Sequence, residues 1–126
     1  MPNRKPIFQY KAQTAAARPW DEIEEHFTKW FEGVYQNSIV LLVKHIRSSG
    51  LSQRLFAYTS MDKLVVGIYD PIEWNREALH IEFEVHEQKW WFKYHPKPNE
   101  PIEFERQYPA NNGIEKFDQF IEMLKW

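Results

Sequence analysis

The chain has 126 residues, no cysteine and a formal net charge of −2. This length fits one compact domain, and the lack of cysteine excludes disulfide frameworks, cysteine-ligated metal sites and thiol catalysis. Residues 1–18 carry four basic side chains and no acid, so their +4 leaves −6 for the remainder of the chain. We therefore predict a basic, partly ordered N-terminal tail over 1–18 and a single domain over 19–126.

Composition also bears on location and partners. The longest apolar run, Ile39 to Val43, is far shorter than the roughly 20 residues that a membrane span requires. The N-terminus lacks the apolar segment of a signal peptide, and a cysteine-free chain is compatible with a reducing compartment, so we expect a cytoplasmic protein without a membrane partner. The acidic body argues against nucleic acid as a partner, because affinity for phosphate rests on clustered lysine and arginine.

The N-terminal part of the sequence predicts a short strand and then a helix. Alternation at Phe8 and Tyr10 predicts a short edge strand in the tail. Pro19 then suits the first turn of a helix, and acidic residues follow where the positive end of the helix dipole favours them. The apolar residues recur at helical spacing within one stripe roughly 100° wide, which predicts a helix that faces the core. This stripe consists of Trp20, Ile23, Phe27, Trp30, Phe31 and Val34.

Residues 39–46 fit two structures. The apolar run at their start is compatible with a buried strand. Apolar residues nevertheless continue at helical spacing to Ile46, and the sequence Ser48-Ser49-Gly50 is typical of a helix end. We favour a helix here.

From Leu55 the apolar period changes to two, which indicates strands. Segments 55–59 and 64–69 predict a hairpin with a four-residue loop at 60–63. The loop that follows carries Trp74.

Two further strands, 79–86 and 89–95, predict a second hairpin with one apolar and one charged face. Apolar residues meet apolar ones, and acids meet bases, when the strands pair in antiparallel register. The predicted register pairs Val85 with Trp90, Phe83 with Phe92, Ile81 with Tyr94, Glu82 with Lys93 and His80 with His95.

The remaining elements complete the fold class. Alternation from Ile102 to Arg106 predicts a fifth strand, and helical spacing from Ile114 to Leu124 predicts a last helix. We therefore predict an α+β fold with two N-terminal helices, a five-stranded antiparallel meander sheet and a C-terminal helix. Because each strand has one apolar face, the helices should pack on one face of the sheet.

The charged face of the second hairpin holds the strongest candidate for chemistry. His80, Glu82 and His95 are a two-histidine, one-carboxylate set of the kind that binds zinc or non-haem iron. Lys89 and Lys93 lie where they would neutralise the glutamates, so we favour a solvated sheet surface and predict no metal. The sequence contains no nucleophile elbow and no glycine-rich phosphate loop, and we predict no cofactor.

Three tryptophans do not fit the predicted core. Trp91 falls on the charged face, Trp74 lies in a loop, and Trp126 is roughly opposite the apolar stripe of the last helix. Exposed tryptophan is uncommon and is enriched at interface hot spots, so we predict a binding surface formed by Trp91, Lys89, Lys93 and Trp74. The alternative is that Trp91 lies over lysine side chains and that the C-terminus folds back.

These observations favour a non-catalytic protein-interaction domain, such as an inhibitor, an immunity-type protein or a chaperone-like module. Its partner would be another protein or a second copy of itself, and the acidic body suits a basic partner. Two alternatives stay open. One is a small metal-dependent or acid–base enzyme that uses His80, Glu82 and His95. The other is a domain that binds a small ligand in an aromatic pocket between sheet and helices.

Overall fold

The computed structural model describes residues 14–33, 38–70, 72–73, 77–96 and 104–126. No helix within these ranges has both the length and the apolar character needed to cross a membrane. The helices are α1 (Trp20–Trp30), α2 (Ser38–Ser48) and α3 (Gly113–Leu124), and the strands are β1 (Thr14–Ala15), β2 (Phe56–Ser60), β3 (Lys63–Gly67), β4 (Ile72–Glu73), β5 (Ala78–Glu84), β6 (Lys89–His95) and β7 (Phe104–Pro109).

Strands β2, β3, β5, β6 and β7 form a five-stranded antiparallel sheet in that order, which is the predicted meander. Strands β1 and β4 pair with each other in a separate two-stranded ladder. Together with the two N-terminal helices and the C-terminal helix, the sheet gives the predicted α+β fold. Residues 39–46, which the sequence left open between helix and strand, belong to α2.

The core lies between the helices and one face of the main sheet. Ile23 and Phe27 of α1 are fully buried there. So are three apolar side chains of α2, which are Leu42, Val43 and Ile46. Trp90 sits between two phenylalanines, and its ring centroid is 5.0 Å from that of Phe83 and 6.0 Å from that of Phe92. The buried side chains that the sheet contributes to this core are Ala57, Leu64, Val66, Leu79, Ile81, Phe83, Trp90 and Phe92.

The register of the second hairpin differs from the prediction by two residues. Phe83 pairs with Trp90, and His80 pairs with Lys93, whereas Val85 lies in the turn. Because side chains alternate with a period of two, this shift leaves every residue on its predicted face of the sheet. The predicted pairings across β5 and β6 are therefore wrong, although the two faces are correct.

The first hairpin is tighter than predicted. Ser60 pairs with Lys63, so Met61 and Asp62 alone form the turn, and the predicted four-residue loop is wrong. Met61 has a φ of 58°, in the left-handed region that the favoured two-residue hairpin turns require. The fifth strand extends to Pro109, three residues beyond the predicted end at Arg106.

The end of the predicted tail is attached to the domain. The backbone N–H of Arg18 donates to the Ala57 carbonyl at 2.8 Å, and its guanidinium donates to Thr59 Oγ1 at 2.6 Å. Just before Arg18, β1 pairs with β4. Phe8 and Tyr10, for which the sequence predicts an edge strand, lie outside the described residues.

Candidate functional site

The face of the main sheet that points away from the helices, called the outer face below, carries paired charges. Lys63 Nζ lies 3.1 Å from the Glu82 carboxylate, and Lys93 Nζ lies 3.7 Å from Glu105. Each pair joins two neighbouring strands, so the charges of this face largely neutralise one another. Two rows cross the outer face: Tyr58, Val65, His80, Lys93 and Glu105, and then Lys63, Glu82, Trp91 and Gln107.

Trp91, the predicted centre of a binding surface, lies on the outer face but is only partly exposed. Lys93 Nζ is 5.5 Å from the centroid of its ring, which is a cation–π distance. Lys89 is exposed and pairs with Glu87 at 3.5 Å, toward the β5–β6 turn. The structure thus brings Lys93 to Trp91 and directs Lys89 elsewhere, while Trp74 lies outside the described residues.

His80 and His95 are diagonal neighbours on the outer face. Their ring centroids are 4.6 Å apart, although Lys93 and not His95 pairs with His80 in the ladder. Burial, followed by the nearby His95, lowers the pKa of His80 to about 4. Burial also lowers the pKa of His95. Both imidazoles are therefore neutral near pH 7.

Neutral imidazoles are good metal ligands, so the alternative set of His80, Glu82 and His95 has to meet a geometric test. Nowhere in the described parts of the chain do three such side chains form a group that could hold a metal ion. Glu82 is directed toward Lys63. The three predicted ligands are on one face, but they are not assembled into a metal centre.

The most exposed tryptophan among the described residues is one that the sequence assigns to the core. Trp30 is 48% exposed, and its ring stacks on that of His26 at a centroid distance of 5.8 Å. His26 Nε2 lies 2.8 Å from the Met61 carbonyl oxygen, which holds the β2–β3 turn, with its 68% exposed Met61, against α1. We call Glu22, His26, Trp30 and Met61 the Trp30 ridge.

Helix geometry explains the position of Trp30, and the prediction that it faces the core is wrong. At about 100° per residue, Trp30 lies about 60° from Phe27, at one edge of the apolar stripe. α1 also ends at Trp30, so no further helical turn covers the indole. Glu22, His26 and Trp30 follow one another at intervals of four residues, and they therefore line a single ridge of the helix.

The surroundings of the Trp30 ridge are acidic. Residues 20–33 contain five acidic residues and one lysine, a net charge of −4. Glu24 pairs with Arg47 at 3.0 Å, and Glu25 pairs with Lys29 at 2.9 Å. Four other carboxylates have no ion pair within the described part of the chain. Asp21 and Glu22 are on α1, Glu32 is in the turn that follows α1, and Asp62 is in the β2–β3 turn.

Trp126 folds back onto the domain, as the alternative interpretation of the C-terminus predicts. Lys125 adopts a left-handed conformation with a φ of 61°, and the Trp126 N–H donates to the Ile121 carbonyl at 3.1 Å. This turn reverses the chain and sets the indole 6.1 Å from the ring of Tyr94. Trp126 is therefore part of the periphery of the core.

A pocket of about 550 Å³ lies between the ends of α2 and α3. His45 Nε2 lies 2.8 and 2.9 Å from the two carboxylate oxygens of Asp118 in its wall. A His–Asp pair can orient a general base, but Ser49, which lines the same pocket, donates to the Ile46 carbonyl at 3.4 Å. The pair therefore joins two helices without an aligned nucleophile among the described residues.

No family model, no curated protein and no solved structure matches the chain. Two surfaces of the domain carry a tryptophan that is at least partly exposed, the Trp30 ridge and the outer face.

Proposed function

We propose that this chain is a non-catalytic protein-interaction domain of the inhibitor, immunity-type or chaperone-like kind, and that the Trp30 ridge is its contact surface. The observation that carries the proposal is the exposure of the Trp30 indole, 48%, beside the exposed Met61. We place the domain in the cytoplasm, a location compatible with a cysteine-free chain.

The energy available at Trp30 supports this choice. Covering about 100 Å² of apolar indole surface stabilises a complex by about 2.5 kcal/mol. The free protein already orders the indole against His26, so little side-chain entropy is lost when a partner covers it. A stacked, half-exposed tryptophan with a polar surround therefore has the properties of an interface hot spot.

The outer face at Trp91, Lys89 and Lys93 is the competing contact surface. Lys93 already covers part of Trp91, and the charges around it are paired with each other. A partner on this face would have to replace those contacts before it gained new ones. The Trp30 ridge offers apolar area without that cost, and we assign the contact to it.

Site-specific photocrosslinking tests the assignment. A photoreactive phenylalanine analogue is placed at position 30, at position 91 or, as an exposed control on α3, at position 123, and each protein is expressed in the native host. We expect a discrete crosslinked protein from position 30. With that protein purified, Trp30→Ala should weaken binding by about 2 kcal/mol, roughly thirtyfold in Kd.

The control variant for the binding measurement is Met123→Ala, which removes an apolar side chain that is 60% exposed on α3. It should leave the Kd unchanged. Crosslinks from position 91 alone would move the contact to the outer face. Equal crosslinking from positions 30 and 123, with an unchanged Kd for Trp30→Ala, would overturn the proposed function.

The catalytic alternative makes a different prediction. An enzyme that used His80, Glu82 and His95 around a metal would retain about one equivalent of zinc or iron when purified without a histidine tag. We expect elemental analysis to find no stoichiometric metal and a chelator to leave the melting temperature unchanged. Metal that is lost together with stability in His80→Ala would favour the enzyme.

A further inference from the structure

We propose that the Trp30 ridge binds a partner segment that presents an arginine beside an apolar side chain. This inference rests on the proposed function and adds the chemistry of the partner. It is carried by two features that occur together on α1 and the β2–β3 turn held against it: an indole available for stacking and an excess of carboxylates without an ion pair.

The indole of Trp30 is suited to a planar cation. His26 stacks on it with an interplanar angle of 22°, and in the described structure no lysine or arginine lies over the ring. Trp91 differs in this respect, because Lys93 already occupies its ring. Tryptophan is the best aromatic acceptor of a cation, and arginine stacks on aromatic faces more readily than lysine.

The negative charges near the Trp30 ridge favour a partner segment that carries positive charge. Glu22 lies on the ridge itself, and Asp62 follows Met61 in the turn that His26 holds against α1. Both lack an ion pair in the described residues. The charge of Asp62, added to the net −4 of residues 20–33, which already includes Glu22, attracts a basic segment and repels phosphate.

The same charges argue against a second copy of this domain as the occupant. A two-fold dimer brings the same patch of both subunits together. Two ridges in contact would place Glu22 and Asp62 near their equivalents, and juxtaposed like charges disfavour association. A basic partner neutralises these carboxylates instead.

Nuclear magnetic resonance can test this chemistry with a defined probe. The probe is a short peptide that alternates arginine with leucine, and the matched control peptide has glutamate in place of arginine. The indole N–H resonance of Trp30 in a nitrogen–proton correlation spectrum is assigned with Trp30→Phe. We expect the arginine peptide to shift this resonance and those of α1 residues, and the glutamate peptide to shift neither.

Charge variants separate a built surface from general attraction to an acidic protein. The double variant Glu22→Gln, Asp62→Asn should weaken binding of the arginine peptide by at least about threefold, the effect of losing partly exposed ion pairs. Glu122→Gln, an exposed position on α3, is the matched control and should leave it unchanged. Raising the salt concentration should weaken binding to the parent protein but have a smaller effect on the double variant.

Shifts spread over every acidic surface, or no shift at Trp30, would overturn the inference. So would equal effects of Glu122→Gln and the double variant. Failure of the inference differs from failure of the proposed function. If Trp30→Ala abolishes binding of the crosslinked partner while the arginine peptide leaves Trp30 unmoved, the ridge is a contact surface for different chemistry. If Trp30→Ala leaves the affinity for the crosslinked partner unchanged, the proposed function itself fails.

Discussion

Trp30 and Trp91 are both surface tryptophans, but their surroundings differ. Trp91 lies within a lattice of paired charges, with Lys93 over its ring and Glu82 and Gln107 beside it in the ladders. Trp30 is the last residue of a helix on which two carboxylates, Asp21 and Glu22, have no ion pair among the described residues. Charged side chains of the outer face form ion pairs with one another, whereas Glu22 of the Trp30 ridge has no ion pair among the described residues. This difference indicates which tryptophan stabilises the fold and which is available to another molecule.

A substitution in the core should cause the largest loss of folding stability, against which the two tryptophan substitutions can be compared. Phe92 is fully buried, and its ring lies 6.0 Å from that of Trp90 and 5.4 Å from that of Tyr108. Phe92→Ala should lower the free energy of unfolding by about 3–5 kcal/mol, measured by urea denaturation, because it removes a fully buried ring and leaves a cavity. A loss below about 1 kcal/mol would mean that β6 presents its other face to the helices.

The pH dependence of stability tests how far His80 of the outer face is removed from water. Since the pKa of His80 is lowered from 6.5 to about 4, the unfolded chain binds a proton near pH 6.5 while the folded chain does not. Stability should therefore fall as the pH is lowered from 6.5 to 4, and His95 acts in the same direction. For a partly exposed imidazole we expect about 2 kcal/mol from His80.

Two variants isolate this contribution in denaturation curves recorded across that pH range. His80→Gln should remove most of the loss between pH 6.5 and 4. His86→Gln, at an exposed position in the β5–β6 turn, should behave like the parent protein. If His80→Gln and the parent protein show the same pH dependence, His80 is more hydrated than its position on the sheet implies.

Trp91→Ala should have a smaller effect on stability, about 1–2 kcal/mol. The substitution removes a partly buried ring and its cation–π contact with Lys93. Binding of the crosslinked partner, measured by calorimetry on the same variant, should change little. A large loss of binding with unchanged stability would reverse the comparison and make the outer face the contact surface.

Trp30→Ala should have the smallest effect on folding, below about 1 kcal/mol, because about half of the removed side chain is already exposed to solvent in the free protein. Thermal and urea unfolding of the parent protein and the variant would measure it. A loss of several kcal/mol would show that the ring serves the fold after all, and it would weaken the argument for a binding role.

The sequence predicted the sheet better than the surface. Alternation with a period of two assigns each residue of β5 and β6 to a face, but registers that differ by two residues satisfy the same pattern. The turn decides between them, and its conformation, with Gln88 at a φ of 55°, is not visible in an apolar pattern. The faces were therefore predictable from sequence, whereas the partner of His80 was not.

The exposure of Trp30 was not predicted from the sequence, for a related reason. A helical stripe has edges, and an edge residue is buried only if a neighbouring element reaches it. Trp30 lies at the edge of the stripe and at the end of α1, so periodicity assigns it to the core while the tertiary structure leaves it exposed. The apolar pattern continues to Phe31 and Val34, so the end of α1 at Trp30 was not visible in the sequence. Trp126 shows the reverse case, because a left-handed Lys125 redirects it toward Tyr94.

The consecutive strand order of the main sheet has a consequence for folding kinetics. Neighbouring strands of this sheet are close in the chain, with only β4 between β3 and β5, so each pair forms with a modest loss of chain entropy. The contact of His45 with Asp118 instead joins residues 73 positions apart, so it closes a much longer loop of chain. We expect substitutions in the β5–β6 hairpin to slow refolding. We expect α3 to dock late, and Asp118→Ala should then mainly accelerate unfolding.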